Sequence, residues 1–213
     1  MRHVLCAAVV VFALTGCGTA AQAPIADTKP APPQQATLGW QEVYGPPGER
    51  LVFRVRSLLV GENGWTASVA VQNDSTVRFA VATGSTSLDS SFGLMILPTG
   101  DHRELDRLNR AGELPQVRVA DAIRPALPGV LEPGATWRGT LSARGAVPGG
   151  FWTRVVFGSF VAMGTPPKGL AERVIWITDH THKLHARPQG TRVLSSGSPT
   201  RPAKSESAAA SSR

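Results

Sequence analysis

Cysteine is almost missing from this 213-residue chain: there are two, Cys6 and Cys17, and both fall at its beginning. Everything after Cys17 forms no intrachain disulfide and no thiolate metal site, so a domain built there must stand on side-chain packing. Long apolar runs are missing too. The stretch from Val4 to Leu14 is short of the roughly 17 to 25 residues that cross a hydrocarbon layer as a permanent helix. An excess of one charge is missing from the middle of the chain, where residues 41–182 carry 14 basic and 13 acidic side chains. The overall balance of +7 is mostly a property of residues 183–213, with six basic and one acidic. A near-neutral centre without a basic stripe argues against a nucleic-acid-binding domain, because phosphate recognition gathers positive charge on one surface. Short catalytic signatures are also missing: the sequence has no G-x-S-x-G elbow, no H-E-x-x-H and no G-K-[ST] phosphate loop.

What is present begins with a leader. Met1, Arg2 and His3 form a short basic head, residues 4–14 an apolar run, and Thr15 and Gly16 a small-residue pair before Cys17. That is the layout of a secretory signal peptide over residues 1–16. The tetrapeptide "LTGC" at 14–17 resembles the lipobox of bacterial lipoproteins. The resemblance implies cleavage immediately before Cys17 and a diacylglyceryl thioether on its sulfur. It further implies a mature chain held by membrane lipid on the extracytoplasmic face of a bacterial membrane. Cys6 would leave with the leader. An ordinary signal peptide cut a few residues later is the alternative.

Residues 17–40 contain four prolines among Ala, Gln and Thr and little that is large and apolar. Such a segment does not recover its ordering entropy through burial and is expected to be a disordered tether. Residues 183–213, rich in Ser, Ala, Pro and Arg, are expected to be a disordered basic tail.

Between them, short alternating runs are separated by Gly, Pro, Asn and Asp. Leu51, Phe53 and Val55 alternate with Arg54 and Arg56, the period of a strand with one wet face. The turn "GENG" leads to Trp65, Ala67, Val69 and Val71, predicting a hairpin, with Gly61 and Gly64 available for positive dihedrals. "VRFAV" and "SSFGLMIL" predict two more strands, the second apolar on both faces and hence well covered. Asp101 is placed to cap a short helix carrying Leu105 and Leu108, within a crossover that runs to residue 129. Trp137, Gly139 and Leu141 follow the Pro133-Gly134 turn. A long strand follows from Phe151, with a bend expected at Gly158, and "ERVIWITDH" closes the domain. An apolar residue, Pro-Gly and a strand resemble a turn recurrent in immunoglobulin-like modules of secreted bacterial proteins. The expected fold is an all-β, immunoglobulin-like antiparallel β-sandwich of about seven strands over residues 41–182, with one helical or irregular crossover.

Candidate chemistry is concentrated in "TDHTHKLH". Asp179, His180, His182 and His185 crowd the end of the last strand, and in an extended chain His180 and His182 share a face where imidazoles suit Cu or Zn. Met95, Met163 and His102 are conceivable further donors; the plainer alternative is a polar strand end. Ser159 in "FGSF" follows a glycine but lacks the nucleophile-elbow pattern. Asn73 in "NDS" fits a glycosylation sequon and, more simply, a turn. Three functions stay open. The first is a non-catalytic, lipid-anchored binding or assembly module contacting an envelope protein, a wall polymer or a small ligand, through loops near 61–64, 98–129 and 162–169. The second is an extracytoplasmic copper- or zinc-binding protein, and the third a cell-wall hydrolase.

Overall fold

A computed structural model describes residues 29–82, 91–115 and 117–187. Cys17, the leader, most of the expected tether and the tail beyond residue 187 lie outside the described residues. Within them the chain is all-β apart from one short helix, and its strands form two packed antiparallel sheets.

The first sheet has the order β1-β2-β3-β9-β7, built from Gln34–Tyr44, Arg50–Gly61, Gly64–Asp74, Thr136–Arg144 and Ala122–Arg124. The second is assembled on β10 (Trp152–Ala162). Along one side of β10 lie β5 (Phe92–Leu97) and β4 (Phe79–Ala82), which continue to β6 (Val117–Val119) and β8 (Val130–Leu131). Along its other side lie β11 (Arg173–Ile177) and β12 (His182–Lys183). All seven sequence-predicted strands are present, and β1 and the short β6, β7, β8 and β12 bring the number to twelve among the described residues.

Alternation decides which side chains enter the space between the sheets. Phe53, Val71 and Trp137 occupy one cross-strand row of the first sheet and point inward. Phe53 meets Phe157 at 5.2 Å and Phe160 at 5.5 Å, and stacks on Trp176 at 5.0 Å between ring centroids. Offset and tilted aromatic pairs of this kind add about 0.5–1.5 kcal/mol each beyond area burial. The two sheets are therefore packed together through an aromatic centre.

The register of β2 changes at Arg56. Val55 faces Val69 and Ser57 faces Ser68, so Arg56 is an extra residue and the inward set moves from Leu51, Phe53 and Val55 to Leu58 and Val60. A bulge of this kind preserves burial while reversing parity, and it leaves Arg56 and Ser57 together on the outer side. Gly158 on β10, at φ 66°, marks another irregularity, where the pairing with β11 shifts between Val156 and Ser159.

The helix α1 (His102–Ala111) lies on the outer face of the second sheet. Asp101 accepts from the Arg103 backbone N–H at its N-terminus, and Gly112 ends it at φ 69°. Leu105 is buried with Met95, Leu97 and Val156, which explains why β5 is apolar on both faces.

Two expectations about the sandwich need correction. Residues 34–40, assigned by composition to the tether, belong to β1, whose burial alternates along its whole length. The fold also passes residue 182, because Leu184 is fully buried and its N–H donates to the Phe151 carbonyl. A third concerns the β2–β3 turn. Neither Gly61 nor Gly64 has a positive φ; Gly64 is needed because a Cβ there would stand 2.5 Å from the Ala143 carbonyl oxygen.

Candidate functional site at the rim between the sheets

The edge strand of the first sheet, β1, runs beside β11 and β12 of the second. Side chains join them here, and the central residue is Glu42. It occupies an inward position of β1 between Trp40 and Tyr44, and its side chain is only 7% exposed. A carboxylate that dry requires donors, and Glu42 has three. Oε1 accepts the backbone N–H of His180 at 3.0 Å and pairs with His180 Nδ1 at 2.7 Å. Oε2 accepts the indole N–H of Trp176 at 2.9 Å.

Aromatic rings complete the rim. Trp40 stacks on the His180 imidazole at 5.6 Å with an interplanar angle of 22°, and Tyr44 tilts against Trp176 at 5.8 Å. Further along, Gln34 Oε1 accepts the N–H of His185 at 2.9 Å. One long edge of the sandwich is thus closed by a carboxylate and an amide from β1, each holding backbone of the segment after β11.

The expected metal ligands separate in this arrangement. His180 turns toward β1, while His182 pairs across to Thr153 on β10. His182 is half-buried, and that burial lowers its pKa from the ordinary histidine value, with the neighbouring His185 charge adding to the effect. Asp179 is exposed, and its backbone oxygen accepts from Arg154 Nη2 at 3.2 Å. Among the described residues no group of three or more His, Cys, Asp or Glu side chains is arranged to hold a metal ion.

Arg154 lies behind this rim. Burial depresses its pKa, opposed by the charges of Asp179, Glu42 and Asp106, and its Nε is buried with no hydrogen-bond partner among the described residues. The same holds for Ser159 Oγ. Asn73 is fully buried: its Nδ2 donates to the Val77 and Leu131 carbonyls, and its Oδ1 accepts the N–H and hydroxyl of Ser75. That is the turn-building role, with the amide nitrogen already engaged.

The three loops expected to make contacts do not converge. The β2–β3 turn at 61–64 lies at the end of the first sheet where Gly64 faces Arg144. A shallow basin of about 510 Å³ opens beside it, with Leu59, Thr66, Asp121 and Arg144 among its lining. The 162–169 segment lies at the other end, where Gly169 packs close to Pro46. The 98–129 crossover covers one side with α1.

Gln34 and Trp40 are not legible as functional residues because the prolines before them place residues up to 40 in the tether, and Glu42, at the start of the expected domain, has no motif around it. The signal was nevertheless present: Leu38, Trp40, Glu42 and Tyr44 recur at every second position. No protein-family model matches the chain, and neither does any curated protein or solved structure.

Proposed function

We propose that the protein is a lipid-anchored, non-catalytic binding or assembly module of the bacterial cell envelope, an immunoglobulin-like sandwich attached to the extracytoplasmic face of a membrane through acylated Cys17. The "LTGC" tetrapeptide behind the apolar run carries this reading. A protein envelope partner, a wall polymer or a small ligand would meet the sandwich, whose exposed faces and separated loops suit contact better than chemistry in a cleft. The Glu42–His180 pair supports it as well: the carboxylate already has three donors and acts as a fastening between the sheets.

The described residues begin at Lys29, and a fully extended chain from Cys17 to Lys29 would span at most about 40 Å. Two or three acyl chains, at roughly 0.8 kcal/mol per buried CH₂, hold far more firmly than a single myristoyl group. The test is metabolic labelling with an alkyne palmitate in the source bacterium. Wild-type chain should label and fractionate with membranes, and Cys17→Ser should do neither. Continued labelling of Cys17→Ser would refute the anchor.

A further inference from the structure

The outer face of the five-stranded sheet collects positive charge that is not apparent along the sequence. Inward positions are fixed by Phe53, Val71 and Trp137, so the neighbouring rows point outward. One of these rows runs Gln41, Arg54, Ala70 and Arg138 across β1, β2, β3 and β9. The next runs Ser57, Ser68, Thr140 and Arg124 across β2, β3, β9 and β7, with Arg56 added beside Ser57 by the bulge. Among the described residues the paired outward strand positions of this face carry one carboxylate, Asp74, which is paired with Arg50 at 2.8 Å; Asp121, just before β7, accepts the Arg144 backbone N–H at the far end of the sheet.

The arginines differ in how they are held. Arg54 Nε donates to Gln41 Oε1 at 2.8 Å and its Nη1 to Gln72 Oε1 at 3.0 Å, which fixes the guanidinium between β1 and β3. Arg56, Arg124 and Arg138 are exposed, and their guanidinium groups have no ion pair or hydrogen bond among the described residues. Strand spacing puts Arg54 and Arg138 about 10 Å apart and Arg56 and Arg124 about 14 Å apart. Between them lie the partly exposed hydroxyls of Ser57, Ser68 and Thr140, with Ala70 buried beneath its neighbours.

We propose that this face binds an acidic polysaccharide. Guanidinium forks recognise carboxylate or phosphate groups bidentately, and hydroxyls between them at sugar-scale spacing hydrogen-bond to sugar hydroxyls. The outer face of the sheet leaves room for an extended polymer laid across its strands. A lipid surface fits less well: the exposed apolar residues of this face, Val43 and Leu59, stand in rows well apart, opposite Val52 and Gln35, and form no patch. Single-stranded nucleic acid fits less well too, because the tryptophans and phenylalanines of these strands point inward and leave no ring for bases to stack on. The inference deepens the binding-module reading by naming its partner class, and it rests on that reading for its setting alone, since the face is independent of Cys17.

The experiment uses the full chain carrying Cys17→Ser, so that failure of the anchor and failure of the face are read separately. Binding is measured at low salt to polygalacturonate, to dextran of similar length, to single-stranded DNA, and to vesicles of phosphatidylglycerol and phosphatidylcholine. Polygalacturonate should bind, weaken steeply with added salt and outcompete the other three. The Arg56→Gln, Arg124→Gln, Arg138→Gln triple variant should bind it roughly tenfold more weakly, with Arg103→Gln on α1 as the unaffected control. Should the triple variant melt far below the parent, Arg138→Gln alone carries the test with a roughly two- to threefold loss. Unchanged binding by the arginine variants, or DNA or vesicles bound as tightly as polygalacturonate, would overturn the proposal.

Discussion

Replacing Glu42 by alanine removes one side chain and strands three donors, so its cost follows from how much water each donor regains. The His180 ring is 54% exposed, and its contact with Oε1 contributes little once solvent screens it. The other two differ. The backbone N–H of His180 at 3.0 Å and the indole N–H of Trp176 at 2.9 Å both lie in part-buried surroundings and lose an ionised acceptor. Hydrogen bonds to charged groups are worth roughly 1.5–3 kcal/mol each, and burying the carboxylate itself takes back part of that. The net expectation is a loss of about 2 kcal/mol. For a domain of this size that corresponds to about 4–8 °C in melting temperature. Glu42→Gln keeps an acceptor for His180 but turns an amide toward the indole, and should lose about half as much. Differential scanning calorimetry reads both variants, and amide hydrogen exchange at His180 gives the local readout. A Glu42→Ala melting point within about 1 °C of wild type, with His180 still protected, would refute the claim that this carboxylate fastens β1 to the second sheet.

Two further outcomes are expected. Burial holds the His182 imidazole below its ordinary value, so the unfolded chain takes up the proton first; this group lowers stability as pH falls below about 6.5, and the loss is complete at the folded pKa. His182→Asn should therefore narrow the difference in melting temperature between pH 7.5 and pH 5, and an identical pH slope in both proteins would contradict that assignment. Gly93→Ala places a Cβ 2.2 Å from the Arg118 carbonyl oxygen on the partner strand β6, where backbone must move. We expect a destabilisation of about 1–3 kcal/mol in urea titration, with exchange protection lost at the β5–β6 pairing, and full protection there would count against the close approach.

The parts of the fold that were legible share one property: their burial follows from local alternation. The runs at 51–58, 65–73 and 92–97 became β2, β3 and β5, and Asp101 capped α1 as its side chain predicts. The Pro- and Gln-rich composition of residues 30–35 masks the strand period of β1, and an inward glutamate reads as a break in an apolar stripe. Glu42 is tolerated inside only through three donors that come from residues 176 and 180, a contact no window of sequence contains. The histidine cluster failed for the complementary reason. Neighbours in sequence were expected to be neighbours in function, yet the chain turns after β11 and sends His180 to β1 and His182 to β10. The basic face was hidden in the same way, since Arg54, Arg138 and Arg124 meet only when three strands distant in sequence align.

The two ends of the described residues meet, and this bears on how the domain would be presented. Ala31 donates its N–H to the Val147 carbonyl, and Gly149 donates to Lys29. Gly150 donates to Leu184, and a Cβ on Gly149 would run into Ala186 and Ala31 together. Both ends of the described residues therefore lie at the β9–β10 connection, the end that also carries the 61–64 turn, where Gly145 donates to the Asn63 carbonyl. On the anchored reading this end faces the membrane, and the loops at 45–49, 132–135 and 163–170 face away from it. A partner recognised by the 61–64 turn would have to lie between the domain and the lipid, within the roughly 40 Å allowed by the connection. The arginine face is subject to no such limit. Its rows lie across the strands, along the flank of the sandwich, so a polymer bound there runs alongside the domain and leaves both ends free.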